Sequence, residues 1–189
     1  DGDGDQDCFI GDYDGTVKYY RNTGSSTSPA FTVQTGSDNP LNGVSGGDDP
    51  APAFVDIDGD GDQDCFIGEY TGNLNYYKNT GSSTSPTFVE QTGGNNPFNG
   101  VDVSRNSAPV FVDIDGDGDY DCFIGEYHPG ILNYYKNTGS SSSPIFTLTT
   151  GGNNPFNGIS VGYSSDPAFV DIDGDGDYWR PVDAPDLTY

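Results

Sequence analysis

Short apolar runs separated by Gly, Asn, Pro and Asp set the pattern of this chain. One run, Ala53–Ile57, precedes an aspartate-rich stretch, and a second run covers Cys65–Tyr70. A tight turn at 71–73 leads to Leu74–Lys78, and the loop 79–86 leads to Thr87–Glu90. Aromatic and β-branched residues fill these runs while Gly, Asn and Pro mark their ends, which predicts four short β-strands. A long connection, 92–109, then returns the chain to the same pattern.

The pattern is an internal repeat. Asp1, Asp58 and Asp115 open equivalent stretches 57 residues apart, and Asp173 follows Asp115 by 58. The added residue falls at 128–130, where the earlier copy has Thr71 and Gly72. Full units therefore run 51–107 and 108–165. Residues 1–50 form a unit lacking its first strand, and 166–189 hold the start of a further unit plus a divergent tail. Four short strands in a unit of this length predict an all-β fold of tandem β-propeller-type blades. Helical and leucine-rich solenoids need other periods and other residues.

Charge narrows the partners. The chain carries 30 Asp and Glu against 6 Lys and Arg, a net charge of -24. A compact fold with that charge repels itself unless cations offset it. The same excess argues against nucleic acid and anionic membrane surfaces, which require Lys and Arg. Aromatic residues at 13% and the ordered repeat argue against disorder. There is no Met and no apolar run as long as a signal peptide or a membrane span. A processed product or a segment of a longer protein is therefore expected, with no membrane insertion. Cys8, Cys65 and Cys122 occupy one equivalent position, which suits a small buried strand residue, and no disulfide framework is predicted.

The aspartate stretches carry the chemistry. Asp56, Asp58, Asp60, Asp62 and Asp64 read D-x-D-x-D-G-x-x-D. Carboxylates at loop positions one, three, five and nine can converge on one ion, with Gly61 allowing the turn and Asp62 offering its carbonyl. Hard oxygen donors in this number suit Ca²⁺. An EF-hand places Glu at position twelve on a helix; here that position is Ile67 and the flanks are strands. Asp113, Asp115, Asp117, Asp119 and Asp121 repeat the motif in full. The first copy, Asp1, Asp3, Asp5 and Asp7, lacks its leading Asp. The fourth, Asp171, Asp173, Asp175 and Asp177, has Trp179 at position nine. About one Ca²⁺ per repeat is expected, at an affinity on the order of 10⁻⁴ to 10⁻³ M, as in extracellular modules.

With these motifs the chain resembles the FG-GAP/VCBS type of calcium-binding repeat. The stretches that carry the resemblance are 108–121, Phe123–Tyr127, Asn133–Gly139 and Asn154–Gly158. It extends over residues 1 to about 178 and implies four-stranded propeller blades in extracellular or cell-surface proteins used in adhesion, surface layers and sugar binding. Residues 179–189 depart from it.

The expected function is a non-enzymatic, extracellular, calcium-binding structural or adhesion module. Its partners are copies of itself, joined head-to-tail into a filament or ring, and extracellular glycans or proteins. In the head-to-tail arrangement the stretch 167–172 of one copy supplies the strand missing from the first unit of another, and Asp171 joins Asp1, Asp3 and Asp7. The alternative is a lectin-like propeller fragment. Tyr70, Tyr76, Tyr77, Tyr127, Tyr134 and Tyr135 suit packing between units better than stacking on sugars. The single His128 and the absence of a nucleophile motif argue against an enzyme. The Ser/Thr-rich runs 25–29, 82–86 and 140–144 read as exposed flexible loops, open to O-glycans.

Overall fold

The computed structural model describes residues 2–171. The chain folds into three antiparallel sheets. The first contains β1 (Cys8–Gly11), β2 (Val17–Asn22) and β3 (Phe31–Gln34). The second contains β4 (Ala51–Val55), β5 (Asp64–Gly68), β6 (Leu74–Asn79) and β7 (Phe88–Gln91). The third contains β8 (Ala108–Val112), β9 (Asp121–Gly125), β10 (Leu132–Asn137) and β11 (Phe146–Thr149). Strands pair in chain order within each sheet. Short 3-10 turns at Gly36–Asp38, Gly93–Asn95 and Gly151–Asn153 follow the last strands.

In the second unit the first strand lies two residues before the sequence expectation, and the second ends at Gly68 rather than Tyr70. Ala53–Ile57 was expected to be paired, yet β4 stops at Val55. Asp56 turns its carboxylate onto the loop backbone, which ends the ladder, and Ile57 tucks into the core at 3% exposure from outside the strand.

The apolar run in β5 is continuous because both faces of the sheet are covered. Side chains alternate along a strand. Cys65 and Ile67 pack with Val17, Leu41 and Tyr77 on the side of the first sheet. Phe66 packs with Phe98, Tyr76, Cys122 and Ile124 on the side of the third. One aromatic contact recurs at every junction. Phe54 lies on Phe9 at 4.6 Å, Phe111 on Phe66 at 4.8 Å and Phe169 on Phe123 at 4.8 Å. The segment that opens each following unit thus carries a ring that covers the unit before it.

The long connections fasten the sheets at the end opposite the aspartate loops. Val103 N–H donates to the Gly72 carbonyl and Ser107 N–H to the Glu69 carbonyl. Val161 and Ser165 repeat both bonds to Gly130 and Glu126. A Cβ on Gly68 would fall 1.9 Å from the Ser107 carbonyl oxygen, and one on Gly125 2.1 Å from that of Ser165. Only glycine lets the backbones approach so closely. The Ser/Thr-rich runs close as tight turns. Ser82 and Ser85 exchange backbone hydrogen bonds, and the buried Asn79 Oδ1 accepts from Gly81 and Thr87 N–H.

Candidate metal centre

Each complete aspartate loop joins the first two strands of its sheet. In the second unit, Asp56 Oδ1 accepts from Asp60 N–H at 3.1 Å and Oδ2 from Gly61 N–H at 3.0 Å. Asp113 does the same for Gly116, Asp117 and Gly118 at 2.8 to 3.1 Å. The first carboxylate therefore winds the loop around itself. Gly61 and Gly118 sit at φ of 93° and 89°, a left-handed backbone that side chains resist.

This winding gathers three carboxylates. Oxygens of Asp56, Asp58 and Asp60 lie within 4.8 Å of one another, as do those of Asp113, Asp115 and Asp117. Like charges this close repel unless a cation lies among them. In both loops a lysine from the third strand of the sheet comes in. Lys78 pairs with Asp58 and reaches Asp60 at 3.5 Å. Lys136 pairs with Asp115 and reaches Asp117 at 3.6 Å.

Position nine sits apart from the triplet. Asp64 and Asp121 are fully buried at the start of β5 and β9. Asp64 accepts from Tyr76 Oη–H at 2.8 Å and Asn79 N–H at 2.7 Å. Asp121 accepts from Tyr134 and Asn137 at the same distances. Burial pushes both carboxyls up to about 6, against these two hydrogen bonds. Burial and the neighbouring Asp64 likewise push the Tyr76 phenol up. Each oxygen of Asp64 has one protein donor and keeps a further lone pair. The tyrosines and the position-nine aspartates thus tie the loop to the third strand, a link that residue spacing did not reveal. The signal was present in the recurrence of a Tyr and an Asn 12 and 15 residues after Asp64, and 13 and 16 after Asp121.

The remaining sequence candidates fall as follows. Asp62 and Asp119 are half-buried and stand outside the triplets, each donating its N–H to the carboxylate two residues before. In the first loop Asp3 accepts from Asp5 N–H, and Asp7 accepts from Tyr19 Oη–H and Asn22 N–H, both at 2.7 Å. Asp171 is half-buried. Asp1, Asp173, Asp175 and Asp177 lie outside the described residues.

The donor set fits a hard divalent cation. Three carboxylates converge, and Asp58 Oδ1 is buried with no hydrogen-bond partner. An acceptor in that state calls for a cation or a donor.

The sheets and loops together define a tandem all-β repeat protein with an acidic loop after the first strand of each complete unit. A family model described as FG-GAP-like repeat matches residues 1–67 and 56–124, and the chain belongs to that family. No curated protein and no solved structure gives a significant match. Among the described residues no helix is long and apolar enough to cross a membrane.

Proposed function

We propose that the chain is a non-enzymatic, extracellular structural or adhesion module whose sheets are propeller-type blades stiffened by Ca²⁺. The observation that carries this reading is the paired aspartate triplet with the orphaned Asp58 Oδ1. Asp56, Asp58 and Asp60 would hold one ion and Asp113, Asp115 and Asp117 another, with Asp64 and Asp121 behind them. A bound ion offsets two of the triplet's three negative charges and cross-links the loop. Family membership supports the non-enzymatic, surface-exposed role.

The test is thermal unfolding followed by circular dichroism, in millimolar calcium and in chelator. With Kd on the order of 10⁻⁴ to 10⁻³ M, millimolar calcium adds about 0.4 to 1.4 kcal/mol per occupied loop, so melting is expected to rise by a few degrees. Identical melting in the two buffers overturns the calcium assignment.

Self-association is part of the proposal. Ile10 is 49% exposed on β1, whereas its equivalents Ile67 and Ile124 are fully buried. The face it occupies takes the ring-bearing side of another unit, from a second copy or from a preceding repeat. Sedimentation of the full chain with and without calcium tests the first source.

A sugar-binding reading draws on Tyr127 of the expected tyrosines and on Tyr163 and His128, which were not among them. Tyr76, Tyr77, Tyr134 and Tyr135 are buried and unavailable to a ligand. Tyr127 and Tyr163 are 41% and 63% exposed, 5.5 Å apart, with the His128 ring 5.2 Å from Tyr163. Rings presented in this way suit stacking on a pyranose, and a glycan array with Tyr163→Ala as control checks it.

A further inference from the structure

We propose that Lys78 and Lys136 are tethered counterions of the acidic loops, which calcium must displace and which thereby set the affinity of each loop. This rests on the calcium reading above and adds residues that lie outside the aspartate motif.

The argument begins with position. Lys78 and Lys136 occupy the same place in β6 and β10, directly before the asparagine whose N–H holds the position-nine aspartate. Arg21 has that place in β2 and reaches Asp3 at 3.5 Å. A cation thus comes from β2, β6 and β10 toward the loop of its sheet. Lys78 and Lys136 each bridge two members of their triplet, positions three and five. An incidental surface pair would engage one carboxylate and would not recur across sheets.

The chemistry then decides between coexistence and exchange. An ammonium is a compact charge with three donors. Bridging Asp58 Oδ2 and Asp60 Oδ2, it offsets repulsion within the triplet but leaves Asp58 Oδ1 without a partner. Ca²⁺ takes six to eight oxygens and needs the same carboxylates. Two cations cannot share Asp58 and Asp60 at contact distance without strong mutual repulsion. The lysine therefore swings out when calcium enters, a motion open to a flexible side chain that is about one-third exposed. In the absence of calcium it keeps the loop wound; in its presence it competes.

Replacing either lysine with methionine keeps the apolar stem and removes the charge. Each loop is then expected to bind calcium about tenfold more tightly, from the loss of one positive charge near the ion. The experiment is calorimetric titration of calcium chloride into the full chain, comparing wild type with Lys78→Met, Lys136→Met and Lys18→Met. Lys18 pairs with Asp12, outside the loops, so its loss breaks that pair and removes a charge away from the triplets, and is expected to shift affinity less than about twofold. Melting in chelator gives a second readout. Lys78→Met is expected to melt below wild type there and to reach or exceed it in calcium. The Lys136→Met chain carries the same test if Lys78→Met does not fold. Wild-type binding with unchanged or weaker binding in both loop variants overturns the counterion role and leaves the calcium reading intact. No calcium binding by wild type overturns both.

Discussion

The sequence Asp-Cys-Phe-Ile-Gly occurs at 7–11 and at 64–68, and the two copies have different surroundings. In β5 every residue is buried. In β1 Cys8 and Phe9 are half-buried and Ile10 is 49% exposed. Both strands pair with the strand that follows, and both have the next unit lying over one face. What β5 has in addition is β4 along its edge and the first sheet on its other face. Burial here belongs to the stack of units and not to the strand that is stacked. The residue types are chosen for an interior that a neighbour must supply.

Three sets of substitutions break or sharpen that contrast. The largest effect is expected at the isoleucines. Ile67→Ala should cost about 2–5 kcal/mol, the range for emptying a packed site. Ile10→Ala should cost under about 1 kcal/mol, as at a surface position. Urea denaturation of the two variants measures the difference, and equal losses would mean that the first sheet's open face is covered in solution.

Next come the tyrosines that hold position nine. Tyr76→Phe leaves one oxygen of the fully buried Asp64 without its donor, at a cost of about 1–3 kcal/mol. Tyr19→Phe removes the matching bond to the half-buried Asp7, where water can replace it, and should cost under about 1 kcal/mol. The same denaturation series reads both.

The smallest effect is a pH dependence. Glu126 is 5% exposed, while Asp12, at the same place in the first sheet, is half-buried and pairs with Lys18. Burial raises the Glu126 carboxyl above its ordinary 4.5, with the Asn133 amide opposing. The fold thus favours the protonated acid. Its contribution is full below pH 4.5 and is lost as pH rises through the folded value. Glu126→Gln should flatten that part of the stability profile, as measured by denaturation from pH 4.5 toward neutrality.

Much of the fold was legible because a repeat shows itself at several levels at once. The 57-residue spacing, the run of Cys65–Ile67 and the turn residues all pointed to the same short strands. Strand ends were less legible, since pairing at Val55 stops where Asp56 leaves for the loop. The site was legible as a motif but not as an arrangement. Spacing placed Asp64 with the other carboxylates, whereas its oxygens also serve Tyr76 and Asn79 across the sheet. Lys78 and Ser107 left no trace in the motif because their roles come from contacts made twenty to forty residues away. The Ser/Thr-rich runs read as flexible by composition, yet a buried asparagine before each one closes it into a turn.

One feature of the connections bears on force. With four antiparallel strands, each complete unit begins and ends at the same end of its sheet. That end is where Val103, Ser107, Val161 and Ser165 bind the preceding turns. Tension along the chain therefore loads these backbone bonds first and passes from unit to unit without crossing the aspartate loops. The array is anchored at one end of its strands and keeps its ionic chemistry at the other, so pulling on it and titrating it address separate parts of the molecule.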